Sequence, residues 1–176
     1  MNRHVPRSIA LPALLCAGLI TANGLFSIAL ADDQPPFDLG GTVTVTRVID
    51  GDSLRSGDLR IRVHGIDAPE MRQSCVDGRG ASWACGKAAR TAMTEIVSNA
   101  PNLQCDLLDV DRYGRLVMRC MAGDTDIAAA LVRRGLALAY RRYTSDYIAA
   151  EQAAEKAGAG MWQGKFDPPW EWRKAN

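Results

Sequence analysis

Valine and threonine alternate through "GTVTVTRVI", residues 41–49, and a period of two predicts a strand with one buried face. Asp50-Gly51-Asp52 then predicts a tight turn, and Ser56-Gly57-Asp58 predicts a second. In "LRIRVHGI" the alternation sets Leu59, Ile61 and Val63 on the core face against Arg60, Arg62 and His64, and Pro69 ends the strand. These segments form a three-stranded meander. The period changes in "GKAARTAMTEIV", where Ala89, Met93, Ile96 and Val97 share one helical face. "LQCDLLDV" and "GRLVMRCM" read as a strand pair joined around Asp111-Arg112-Tyr113-Gly114. A helix over "DIAAALVRRG" is expected to be capped by Asp124 or Thr125 and stopped by Gly135. Another, "YIAAEQAAEKAG", starts at Ser145 or Asp146 and ends at Gly158. Five short strands, with a helix between the third and fourth and more helices after, predict a small β-barrel decorated by helices. Residues 164–176 are aromatic and proline-bearing, and are expected to pack on the domain as a strap.

The start of the chain has a different pattern. Arg3 and Arg7 precede an uncharged apolar stretch from Ile9 to Leu30, and small residues at Ala29 and Ala31 lead into Asp32. This order predicts a signal peptide over 1–31 and a secreted or periplasmic protein, although the apolar run is also long enough to be a retained anchor. Residues 32–40 form an extended, proline-bearing lead. Without Arg3 and Arg7, the 21 Lys and Arg fall to 19 against 20 Asp and Glu, so the net charge drops from +1 to −1. A protein that coats nucleic acid through diffuse attraction is strongly basic, so any phosphate is bound locally here. Arginine dominates the cations, which suits forked contacts. Cys75, Cys85, Cys105 and Cys120 remain, with no C-x-x-C among them, so two disulfides are expected rather than a zinc cluster. Three pairings are formally open. Cys75–Cys85 would close the glycine-rich loop, and Cys105–Cys120 would tie the two neighbouring strands.

The chemistry concentrates between Arg47 and Glu70. Asp52 sits at a hairpin turn, expected to be exposed, and Asp67 and Glu70 sit at the end of the next long strand. A tight meander can bring all three to one rim, where carboxylates repel unless a cation or arginines lie among them. Hard oxygen donors select Ca²⁺ or Mg²⁺ over zinc, and a site outside the cytosol favours Ca²⁺ of the two. The plain alternative is that each aspartate caps its own turn. Arg62 shares the polar face of its strand, and Arg115 follows the "DRYG" turn. Two guanidiniums and a metal would cradle a phosphodiester, whose transition state gains negative charge. A surface salt-bridge network would use the same residue types. "DVDRYG" is not an EF-hand loop, because Cys120 stands where the twelfth-position acid is needed. His64 is isolated, so no Ser-His or Cys-His relay is expected. Trp83, Trp162, Trp170 and Trp172 read as packing residues more readily than as base-stacking platforms.

"VIDGDSLRSGDLRIRVHGIDAPE", "DRYGRLV", "LVRRGLALAY" and "AEQAAEKAGAGMW" together resemble the thermonuclease family, the staphylococcal-nuclease-like domains, over about residues 41–163. The resemblance implies a mainly β fold with helices: a five-stranded OB-fold barrel carrying three helices. It also implies calcium-dependent hydrolysis of phosphodiester bonds in DNA and RNA; a monomer with no stable membrane association after signal cleavage is expected. By the same resemblance, Asp52 and Asp67 are calcium ligands, together with the backbone carbonyl of Ala68. Glu70 is the general base or the group that orients the attacking water. Arg62 and Arg115 hold the phosphate and stabilise the pentacoordinate transition state. Tyr113 and Tyr140 line the nucleotide pocket. The cysteine-closed loop after Glu70, Arg141-Arg142 and the tryptophan-rich tail depart from the family pattern and bear on substrate preference. Two other readings stay open: a binding module of the same fold without turnover, and a part in exopolysaccharide (succinoglycan) biosynthesis, a label some exported members of this family carry.

Overall fold

The valine–threonine stretch forms two strands, not one. The computed structural model describes residues 40–176, so the predicted signal peptide and nearly all of the lead lie outside the described residues. Within it, β1 (Gly40–Thr44) and β2 (Arg47–Val48) flank a bend at Val45-Thr46. There the chain changes partners: the Val45 amide donates to the Pro101 carbonyl, and the Thr46 amide to that of Arg55. β2 pairs antiparallel with β3 (Ser53–Ser56), and β3 with β4 (Leu59–Val63). The meander is as predicted, except that Leu59 is 55% exposed. It opens β4 beside the Ser56-Gly57-Asp58 turn, past the end of the core, whereas Ile61 and Val63 are buried.

A short β5 (Ile66–Asp67), then a hairpin of β6 (Cys75–Val76) and β7 (Ser82–Trp83), lead into α1 (Cys85–Asn99). Ala89, Met93, Ile96 and Val97 are all buried on the core face of α1, as their spacing demands. β8 (Asn102–Val110) and β9 (Leu116–Ala122) form the predicted pair. β8 accepts β1, and β9 runs parallel to β4, giving the order β1-β8-β9-β4-β3-β2. Because β1 and β2 are halves of one bent run, the sheet curls toward closure as a five-stranded OB-fold barrel. Leu54, Ile61, Val63, Leu103 and Met118 fill its interior against α1.

The helix starts differ from expectation. Thr125 pairs with Ala122 in β10 (Thr125–Asp126), so Asp124 belongs to a hairpin turn and Asp126 caps α2 (Ile127–Arg133), accepting from the Ala129 amide. Leu138 and Ala139 form β11, which pairs with β5 and sets Leu138 opposite Asp67. α3 (Ile148–Lys156) follows Tyr147, which supplies no side-chain cap; neither Ser145 nor Asp146 does so. The Tyr147 hydroxyl instead donates to Asp126.

The tail does strap onto the domain. After a 3₁₀ turn (Gly160–Gln163), Lys165 exchanges backbone hydrogen bonds with Val76, and α4 (Pro169–Ala175) follows, a fourth helix beyond the three expected. Cys75, Cys85, Leu138 and Met161 make a second buried cluster, covered by Trp83, Trp162, Phe166 and Trp170. These tryptophans are packing residues. Among the described residues, no helix is long and apolar enough to cross a membrane.

Both expected disulfides are present, Cys75–Cys85 and Cys105–Cys120, the second joining directly opposed residues of β8 and β9. Two such bridges fit an oxidising compartment. Mass measurement of non-reduced protein should show none of these four thiols alkylatable. Replacing Cys105 and Cys120 by Ala should destabilise the fold by about 3 kcal/mol in a denaturant titration.

Candidate active site

One cavity of about 740 Å³ opens on the barrel flank, lined by residues from the β2–β3 turn, β4, the β5 end, the β8–β9 turn, the loop after β11 and α4. It gathers Asp52, Arg62, Asp67, Glu70, Tyr113, Arg115 and Tyr140, seven of the eight residues that the sequence singles out. The eighth, Ala68, is buried behind it, and its amide donates to Asp52 Oδ2 at 2.7 Å.

Asp52 corrects one expectation. Although it lies at a turn, it is 7% exposed. The turn folds inward because Gly51 lies against α1 and the strand end: a Cβ there would sit 2.6 Å from that of Ala68 and 2.9 Å from that of Ala89. Asp52 accepts from Ser53 Oγ as well as from the Ala68 amide, and pairs with Arg62 at 3.1 Å. Asp67 is 1% exposed. Burial pushes its carboxyl above the ordinary range and the charge of Asp52 adds to that, while Arg173 and Arg62 pull it back. Asp50, whose Oδ1 accepts from the Asp52 amide, is raised to about 6 by burial and then by the Asp52 charge.

Arg62 neutralises the two aspartates. Its Nη atoms reach Asp52 at 3.1 Å, Asp67 at 3.3 Å, and the carbonyls of Val63 and Ile66. Arg115 is held differently: its Nε donates to Asp111 Oδ2 at 2.7 Å, and among the described residues the terminal nitrogens of its fork make no hydrogen bond. Asp111 is the turn residue that was expected, accepting also from the amides of Tyr113 and Arg115. Arg112 and Arg115 both lie against the Tyr113 ring, which is 56% exposed at the mouth. Tyr140 presents an edge contact to Tyr143 and stacks on Trp170 with ring centroids 5.6 Å apart. Arg141 pairs with the buried Glu151 and so serves the fold. His64 also lines the cavity; burial, and then the charge of Arg119, lower its pKa and favour the neutral ring.

Glu70 is set by its backbone. Its carbonyl accepts from the Gln73 amide, and its amide donates to Gln73 Oε1. The first turn of α1 presses on the same carbonyl, and a Cβ at Gly86 would come within 1.8 Å of it. Only glycine leaves room there.

Arg173 is the residue that sequence reasoning missed. From α4 it forks onto Asp67, Nη1 to Oδ1 at 3.0 Å and Nη2 to Oδ2 at 2.7 Å, and Nη1 also reaches Glu70 Oε1 at 2.9 Å. Those bonds, chiefly to Asp67, raise the guanidinium pKa still further. Its only signal was the basic last turn of a short proline-started helix, a pattern that ordinary helix ends share. Arg60 and Arg112, at the mouth, were also not singled out.

Among the described residues, no three His, Cys, Asp or Glu side chains gather into a ready cage. Two adjacent buried aspartates with all-oxygen donors nonetheless call for positive charge, and two guanidiniums supply it. In donor chemistry the residues fit a hard cation.

An OB-fold barrel with carboxylates and arginines converging on one flank cavity defines a class, and comparison with known proteins specifies the family. The family model for staphylococcal nuclease homologues matches residues 60–164. A succinoglycan biosynthesis protein, ExoI, from Rhizobium meliloti (strain 1021) is 37% identical over 120 residues, covering 66% of this chain and 62% of its own. A micrococcal nuclease of Shigella flexneri is 31% identical over 153 residues, covering 75% of this chain and 80% of its own. An uncharacterized endonuclease of Haemophilus influenzae is 28% identical over 141 residues, covering 76% and 73%. The chain belongs to the staphylococcal nuclease homologue family. It spans less than two thirds of the length of the ExoI relative.

Proposed function

We propose that this protein is a secreted or periplasmic, calcium-dependent nuclease that hydrolyses phosphodiester bonds of DNA and RNA. The observation that carries this reading is the convergence of Asp52, Asp67, Glu70, Arg62 and Arg115 on one cavity. Nuclease-named relatives support it, and the two disulfides support an exported location.

Asp52 and Asp67, with the Ala68 backbone beside them, would hold the metal. Bound there, Ca²⁺ would offset the phosphate charge and polarise the phosphoryl oxygen. Glu70 keeps its side chain about one third exposed toward the cavity, placed to take the proton of an attacking water. Arg115 offers its uncommitted fork to the phosphate, in the geometry guanidinium shares with phosphate oxygens. Arg62, paired with both aspartates in the same cavity, would present the second guanidinium to the phosphate. Both arginines then stabilise charge that grows in the transition state. Tyr113 and the Tyr140 side of the cavity flank the nucleotide.

The similarity to a succinoglycan biosynthesis protein favours a second reading, in which the substrate is a glycan. A glycosidase would use Asp67 and Glu70 as its pair. Here both are bound by a single guanidinium, and the cavity holds further arginines suited to phosphate. Phosphodiester chemistry is the better match.

Cleavage of DNA and RNA should appear with Ca²⁺, stop with chelator, and be poorly supported by Mg²⁺, which demands stricter octahedral geometry. Equal rates in Ca²⁺ and in chelator would contradict the metal assignment.

A further inference from the structure

We infer that Arg173 is a positioning residue of this centre: the C-terminal helix fixes the carboxylates of Asp67 and Glu70 relative to one another through one guanidinium, a role that rests on the proposed nuclease function. Ion pairs at a surface contribute little, because two mobile side chains must be ordered to make them. This one differs at both ends. Its acceptor, Asp67, is 1% exposed, so the lone pairs of its carboxylate must be met by donors within the protein. Arg62 gives it a single nitrogen at 3.3 Å; Arg173 adds two, in the planar fork that matches a carboxylate.

Its donor is also anchored. The buried Gln73, which holds the Glu70 backbone, donates through Nε2 to the Asp167 carbonyl at 2.7 Å. Lys165 pairs with Val76, next to the Cys75–Cys85 bridge. Trp170 packs into the second hydrophobic cluster and stacks on Tyr140. The cysteine-closed loop and the aromatic tail thus share a core, whose geometric result is to deliver Arg173 to the carboxylates. Two departures from the family pattern become one device.

The atom count separates a clamp from a plug. A carboxylate has about four lone-pair sites. On Asp67, Arg62 and Arg173 together make three contacts, while on Glu70 Arg173 uses Oε1 and, among the described residues, no hydrogen bond is made to Oε2. The oxygen that would work on water stays free. A pre-set pair of carboxylates is what a positioned base and a metal ligand require, and partners that orient such groups are typically worth ~10–100-fold in activity or metal affinity.

The test compares the full chain with Arg173→Ala and Arg173→Lys, using a single-stranded oligonucleotide with Ca²⁺. Turnover should fall ~10–100-fold in Arg173→Ala with KM little changed. Arg173→Lys, which keeps charge but not the fork, should fall between the two. Added guanidinium ion should restore part of the lost turnover in Arg173→Ala and do nothing for the parent, a rescue that a purely structural role would not show. Calorimetry without nucleic acid should find Ca²⁺ still bound by both variants. Unchanged kcat, or a rise in KM alone, would overturn the role. Faster turnover with tighter Ca²⁺ binding would overturn it too, marking Arg173 as a competitor of the metal. If Arg173→Ala fails to fold, Arg173→Lys carries the comparison, and full turnover in it overturns the role. A parent without turnover refutes the nuclease function itself, and is seen before any variant is measured.

Discussion

Glu70→Gln should cut turnover on DNA at least ~10²-fold, the usual loss when a positioned base is removed, while leaving nucleotide binding in place. The substitution keeps size and an acceptor for Arg173 but cannot take a proton. The backbone of Glu70 is fixed by Gln73 and by Gly86 of α1, so the amide should occupy the same place. Arg115→Lys supplies the contrast. It retains the charge and loses both the fork and the Nε bond to Asp111, so it should mainly lower kcat, by several kcal/mol of transition-state stabilisation. Steady-state kinetics with a binding measurement on each variant separates the two roles. If both variants cleave as fast as the parent, these residues are structural.

Asp52→Ala should abolish metal binding and also destabilise the fold. From sequence, Asp52 is an exposed turn residue whose loss the fold would tolerate; its burial reverses that expectation. Removing the carboxylate orphans the Ala68 amide and deprives Arg62 of its 3.1 Å partner. A buried donor left unsatisfied costs about 1–3 kcal/mol. Asp52→Asn keeps an acceptor for that amide, and so should lose metal while retaining more of the stability. Calcium calorimetry and denaturant titration on the two variants check this. An Asp52→Ala protein as stable as the parent would show that the buried turn contributes little.

Much of this was legible in the sequence, for identifiable reasons. Strand and helix periods located the barrel strands, and the "DGD", "IDAPE" and "DRYG" stretches marked residues that do meet in one cavity. Cysteine spacing and strand pairing anticipated both bridges. What failed were properties set by tertiary approach. A turn aspartate gives no sign of burial until α1 closes over Gly51. The bend at Val45-Thr46 is silent because alternation continues through it, and only the change of partner strand reveals two strands. Capping residues shifted to Asp126 because a short β-bridge used the residues before it. Arg173 was invisible for the same reason: 103 positions separate it from Glu70, and no local pattern encodes so distant a contact.

The most direct measurement incubates the purified protein with Ca²⁺ and, in parallel, single-stranded DNA, RNA and an acidic exopolysaccharide, following chain length over time. DNA and RNA should shorten, the polysaccharide should stay intact, and Glu70→Gln should leave all three unchanged on the same time scale. Shortening of the polysaccharide, or folded protein that binds calcium and cuts neither nucleic acid, would contradict the account.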